Sequence, residues 1–263
     1  MPNNYLKLFK NKLTENESKI FISINLLPII FSNKDCKNIP INIVNYLEKN
    51  FNEVIMSSDT LNLCNTEKVF DVKNTPSYGR GNIPNTIIDN GRFNRSIHPF
   101  VSCISIGKEN YKMPNKANSI HGYGYLSPYD YMYKNDFSIF TIDLPIMQTT
   151  IIHHCENIAN VPYRYTKLFK QEVIDWDGNL TNDYWAINVL YKDLMNSQRD
   201  QGNYLWIKYK LEEKIDKLEI DNHIIRKIKY KKLVDIITEI IIKEPSIWLG
   251  ENKKFNKELP FYK

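Results

Sequence analysis

Cysteine is scarce and scattered in this chain: Cys36, Cys64, Cys103 and Cys155 stand far apart, with no Cys-x-x-Cys pair. That spacing supports neither a zinc ribbon nor a disulfide framework, so the thiols are expected to be reduced and packed as small apolar groups. Long apolar runs are missing too, none approaching the roughly 20 residues that a membrane-spanning helix needs. The opening "MPNNYLKLFKNKLTENESK" lacks the apolar stretch of a secretory signal, and the reading is a cytoplasmic protein with no membrane partner. The chain also lacks the His-x-x-x-His spacing of a zinc helix around His153, so no metal is expected. Excess charge is small, +5, and is spread out except for "IIRKIKYKKL" at 224–233. A basic helix face of that size is ordinarily solvated, so nucleic acid is not expected as a partner. A mild positive field instead favours anionic small molecules.

What the chain holds in quantity is aromatic, 13% of residues with 17 tyrosines, beside 42% hydrophobic and 25% charged residues. That balance suits an ordered globular core and ligand clefts with polar edges. "KIFISINLLPIIF", Lys19 to Phe31, reads as a buried strand. "INIVNYLEKNF" spaces its apolar residues as a helix, and "EVIMSS" at 53–58 reads as the next strand. Strand, helix, strand opens an α/β layer. From Asn74 to Gly107 the chain turns rich in Pro, Gly, Asn and Ser, as in ordered ligand-binding loops. "FSIFTIDL" at 137–144 reads as a strand running into a helix "TTIIHHCENIA" that starts on threonine. "WDG" marks a turn between two β-type runs. From about Leu205, "LEEKIDKLEI" and "LVDIITEIIIKEPSIWLG" carry helical spacing. Neither an internal repeat nor a low-complexity linker divides the chain. The expectation is one compact α/β domain over residues 1–263, with a central mixed sheet flanked by helices and a mainly helical C-terminal third.

Within "TTIIHHCENIANVPYR", His153 and Glu156 are three residues apart and share one helix face. There a carboxylate can orient an imidazole and raise its proton affinity, which outlines a general base; a helix surface with a chance ion pair would have the same spacing. Cys155, two residues after His153, suggests a Cys–His nucleophile, but successive helical residues turn by about 100° each, which points Cys155 away from His153 and favours a buried structural thiol.

Three stretches, taken in order, resemble the aminoglycoside 3-N-acetyltransferase family. "TPSYGRG…NRSIHPFVSCISIG" resembles the family's Thr-Pro-Ser-x-x-Gly block followed by Arg-Ser-x-His-Pro-x-x-Ser. "GYGYLSPYDYM" resembles its Gly-x-x-Ser-Pro segment, and "TIIHHCE" its Thr-x-x-His-x-x-Glu. The resemblance covers Thr75 to Tyr165 and continues more weakly through "VIDWDG" and "EPSIWL". Before residue 70 the chain departs from the family, with Ser23-Ile24-Asn25 and Asn52 to Ser57 standing where a His-x-Ser and a Gly-Thr-x-x-x-Pro are usual.

The resemblance implies transfer of an acyl group from acetyl-CoA to the amine of a small amino sugar or aminoglycoside, directly and without an acyl-enzyme. His153 would be the base, Glu156 its orienting partner, and Thr150 with nearby amides the donors to the oxyanion. Arg95 and Ser96 suit phosphate or pantetheine oxygens, and Ser102 and Ser127 are further candidates for the cofactor; each of the four could equally brace or cap a loop. His98 reads as a structural loop histidine. For the acceptor, Asp175, Asp177 and Asp183 offer negative charge and Tyr129 and Tyr163 stacking surfaces, although a "DWDG" turn often spends its aspartates on its own backbone. Assembly of identical copies stays open. The altered N-terminal segment motivates the alternative of a non-catalytic family member serving as a binding or assembly module.

Overall fold

The run that begins at Lys19 is a strand for only six residues. β1 spans Lys19–Ile24, and a short helix, α1, follows at Leu26–Phe31. The expected strand through Phe31 is thereby cut short. Pro28 is the reason: without an N–H it cannot join a ladder paired on both sides, yet it fits the first turn of a helix. The computed structural model describes residues 4–33, 37–109, 120–191, 194 and 206–245; the end of the "EPSIWL" stretch and Cys36 lie outside them.

Helix α2 (Ile39–Asn50) buries Ile39, Ile43, Val44 and Leu47 along one face and leads to β2 (Glu53–Ser57). Then come β3 (Phe70–Asp71), α3 (Asn82–Asn90), β4 (Asn94–Arg95), β5 (Cys103–Ile106), α4 (Pro128–Lys134), β6 (Ser138–Ile142) and α5 (Ile151–Ile158). A long hairpin, β7 (Arg164–Ile174) and β8 (Leu180–Leu190), turns at the "WDG" signal, and β9 (Asp216–Ile220), β10 (His223–Lys229) and α6 (Tyr230–Lys243) follow. The main sheet has the order β4-β5-β2-β1-β6-β10-β9, and β3-β7-β8 form a smaller one. β1 lies between β2 and β6 and is parallel to both. The outer strands pair antiparallel.

Alternation along β1 builds a core on each face of the main sheet. Ile20 and Ile22 join Val54, Ile43 and Leu47 on one side. Phe21 joins Ile55, Ile139, Leu233 and Ile237 on the other. Phe70, Phe100, Val173 and Trp185 tie the hairpin to the loops before β5.

In the C-terminal third, α6 forms as expected, but "LEEKIDKLEI" does not make a helix. It gives a single 3-10 turn at Leu211–Lys214 and then β9. Asp221 and Asn222 both take positive φ, 49° and 66°, the conformation of a two-residue hairpin turn, and this turn folds β9 back onto β10. The basic cluster at 224–233 is therefore largely strand. The cations of the strand are paired: Lys227 with Glu17 at 2.6 Å, Lys229 with Asp136 at 3.2 Å and Arg226 with Glu212 at 2.7 Å.

Candidate active site

Above the carboxyl ends of β1, β2 and β6, where α/β sheets commonly seat ligands, lies a cavity of about 490 Å³. Its walls include Ser23 and Ile24 at the end of β1 and Asn25 after it, Met56 and Ser57 at the end of β2, the Gly79–Arg80–Gly81 loop before α3, and Gln148 to Thr150 before α5. The two segments in which the sequence departs from the family pattern thus both line this space.

Thr150 precedes α5, and His153 stands one turn further on. The His153 Nδ1–H donates to Glu156 Oε2 at 2.7 Å, which leaves Nε2 with its lone pair. The imidazole is 34% exposed while the Glu156 side chain is 2% exposed, so the imidazole faces outward and its partner lies inside. Glu156 is held three ways: by His153, by the Arg164 guanidinium with Nε 2.7 Å from Oε2, and by the Tyr163 hydroxyl donating to Oε1 at 3.0 Å. Burial opposes ionisation of this carboxyl, but His153 and Arg164 more than offset that, and it titrates below the ordinary carboxylate value. Tyr163 is therefore a buried anchor of Glu156 and no stacking surface.

The neighbouring residues on α5 do different work. His154 is buried, and its Nδ1–H donates to the Tyr123 carbonyl at 2.7 Å; burial lowers its pKa and keeps it neutral. This bond seats Tyr123, whose ring centroid is 5.1 Å from that of His153. Cys155 is fully buried, and burial pushes its thiol far up, which removes the nucleophile reading.

Thr150 forms a ring of hydroxyls with Ser57 (2.8 Å) and Tyr129 (2.7 Å), closed by Ser57 to Tyr129 at 3.3 Å. Tyr129 is fully buried, so it supports Thr150 and offers no face to an acceptor. In the loop before α3, which lines the same cavity, the Arg80 Nε–H donates to Asp59 Oδ2 at 2.6 Å, and Nη2 reaches the same oxygen. Burial disfavours the Arg80 charge, but Asp59 more than offsets it and holds the guanidinium above its ordinary value.

The four residues expected at the cofactor turn inward. Arg95 is fully buried; it donates to the carbonyls of Ser58 (2.8 Å) and Thr75 and to the Ser102 hydroxyl (3.0 Å). Ser96 accepts from the Cys103 amide, Ser102 donates to the Ser58 carbonyl, and Ser127 caps α4 through the Asp130 amide. Their polar atoms thus satisfy loops that no sheet ladder satisfies. His98 behaves as the structural histidine expected: Nε2–H faces the Ala186 carbonyl at 3.2 Å and Nδ1 accepts the amides of Phe100 and Val101. Asp175 spends its carboxylate on the amides of Asp177 and Asn179 in the exposed turn, at the far end of an 11-residue strand from Arg164. Asp177 and Asp183 are exposed on the same hairpin. None of the three is brought to His153 by these contacts.

Arg164, Asp59, Arg80 and Tyr123 went unread in the sequence. Arg164 had a signal, a cation just past the helix that carries Glu156. Nothing in the sequence links Asp59 to Arg80, which stands 21 residues on inside the "TPSYGRG" block. Among the described residues no group of three metal-ligating side chains forms, and no helix is long and apolar enough to cross a membrane.

The fold is shared with solved proteins. The YokD protein from Bacillus subtilis superposes with a TM-score of 0.67 at 16% identity, over 88% of this chain and 95% of that one. Sisomicin-bound AAC-VIa gives 0.73 at 15% identity, over 92% and 99%. AAC-IIIb with CoASH gives 0.65 at 14% identity, over 92% and 95%. No curated protein matches in sequence. The class is an α/β N-acetyltransferase. Within that class the chain belongs to the aminoglycoside 3-N-acetyltransferase family, whose model matches residues 49–241.

Proposed function

We propose that the protein transfers an acetyl group from acetyl-CoA to an amine of an aminoglycoside or a related amino sugar, by direct attack with His153 as general base. The carrying observation is the His153–Glu156 pair, an outward imidazole whose Nδ1–H is held by a buried, doubly anchored carboxylate. Amino-sugar amines are largely protonated at neutral pH, so a base must free the lone pair. In this reading His153 Nε2 takes the proton, and the amine nitrogen attacks the thioester carbonyl carbon. The carbonyl π pair moves to oxygen. When that pair returns, the carbon–sulfur bond breaks, the nitrogen's remaining excess proton passes to the leaving thiolate, and the imidazolium gives up the first proton to solvent. Glu156 stabilises the imidazolium in between.

The cavity beside Thr150 is the place for the acyl donor, and structural neighbours captured with CoASH and with sisomicin make those two molecules the natural probes. The test is acceptor-dependent release of CoA thiol from acetyl-CoA over a panel of aminoglycosides and nucleotide-linked amino sugars. His153→Ala is expected to lower kcat by ~10²- to 10⁴-fold while the protein stays folded and binds acetyl-CoA. Unchanged turnover in that variant would remove His153 from the mechanism.

A further inference from the structure

The transfer proposed above places negative charge on the thioester oxygen, and that oxygen needs a donor. Thr150 was expected to supply one. Its hydroxyl, however, is engaged by Ser57 at 2.8 Å and by Tyr129 at 2.7 Å, in a ring whose third contact is 3.3 Å, so the ring competes for its proton. Arg80 lines the same cavity as Ser57 and Thr150 and is the one charged side chain among its described lining residues.

Arg80 stands between Gly79 and Gly81, whose φ angles of 73° and 74° hold the loop in a conformation other residues rarely adopt. This places its side chain at the apex, 29% exposed, against an Asp59 side chain that is 1% exposed. Nε and Nη2 both serve Asp59 Oδ2. Among the described residues no hydrogen bond uses Nη1. Stability does not account for the pair. A buried carboxylate with one oxygen, Oδ1, lacking a hydrogen-bond partner is costly to keep, and apolar residues of similar volume commonly do as well or better. What the pair does achieve is a guanidinium fixed in the wall of the cavity that Ser57 and Thr150 also line.

We propose that Arg80, clamped on Asp59, donates an Nη1 hydrogen bond to the thioester carbonyl oxygen of the bound acyl donor and holds the charge that oxygen takes up. The inference rests on the acyl-CoA reading and adds to it a substrate-contacting residue. Asp59 then acts as a positioning residue that fixes the fork of Arg80.

The test reads the carbonyl itself and needs no acceptor. Acetyl-CoA labelled with ¹³C at the carbonyl is bound to the wild type and to the double variant Arg80→Met with Asp59→Asn, which removes the donor without stranding a buried carboxylate. Hydrogen bonding to the carbonyl should move the wild-type signal downfield on binding, and the double variant should return it toward the free value. With sisomicin as acceptor, kcat should fall about 100-fold in the variant, while KM for acetyl-CoA stays within about threefold. Identical bound signals in the two proteins, or a loss confined to KM, overturn the role of Arg80 and leave the acyl-CoA reading standing. Failure of the wild type to bind acetyl-CoA overturns both.

Discussion

At the scale of the residue, the site is a set of side chains whose chemistry is decided by what holds them. Glu156 keeps its charge in a buried setting because His153, Arg164 and Tyr163 all converge on it. Glu156→Gln preserves the size of the side chain but removes the charge that orients His153 Nδ1–H and that the proposed mechanism uses to stabilise an imidazolium. We expect a loss in kcat of roughly 10²-fold with little change in acceptor KM, measured by CoA-thiol release. An equal loss from Tyr163→Phe, which removes only one neutral hydrogen bond, would point to packing and not charge. The helix spacing of His153 and Glu156 was readable from the sequence because i and i+3 residues share a face whatever the fold. The inward turn of Arg95, Ser96, Ser102 and Ser127 was not, since a phosphate ligand and a loop brace use the same donors.

At the scale of the element, α5 and the loop before α4 form one working unit. Tyr123 is seated by His154 from α5, and Gly122 brings its loop against Val101 and Ala186. A Cβ at Gly122 would overlap Val101 Cγ2, so Gly122→Ala must push this loop away from the loop before β5. The expected cost is about 1–3 kcal/mol in urea unfolding, together with lower turnover from a displaced Tyr123. The β9–β10 hairpin teaches the complementary lesson. "LEEKIDKLEI" carries apolar residues at helical intervals, yet the Asp221–Asn222 pair turns the chain into a hairpin because both residues tolerate positive φ. Periodicity misled there, and the turn residues were the better guide.

At the scale of the whole molecule, buried histidines set the response to acid. Burial lowers the His98 pKa from 6.5 to about 4, so between those values the unfolded chain binds a proton that the native one does not. Stability then rises with pH across that window and is lost as pH falls through it. The loss from this residue is roughly 3 kcal/mol. His154, also lowered by burial, acts in the same direction. Glu156 adds a later loss: its folded pKa lies below its ordinary value of 4.5, so its contribution is present above that pH and disappears on further acidification. Urea unfolding at pH 7 and pH 4.5 should show the wild type losing more stability than His98→Gln over that interval, and equal losses would contradict the assignment.

The sequence by itself determined the class and the central pair. The β-branched run of β1, the apolar face of α2, the threonine-started helix and the "WDG" turn are local signals, written in spacing and side-chain shape. His153 and Glu156 are local too, three residues apart on a single helix. Tertiary structure decided everything that depends on chain segments meeting: Arg164 on Glu156, Asp59 on Arg80 and the hydroxyl ring of Ser57, Tyr129 and Thr150. It also decided which polar groups were left free, because a buried donor goes to whichever acceptor the fold places beside it, and no spacing along the chain records that choice.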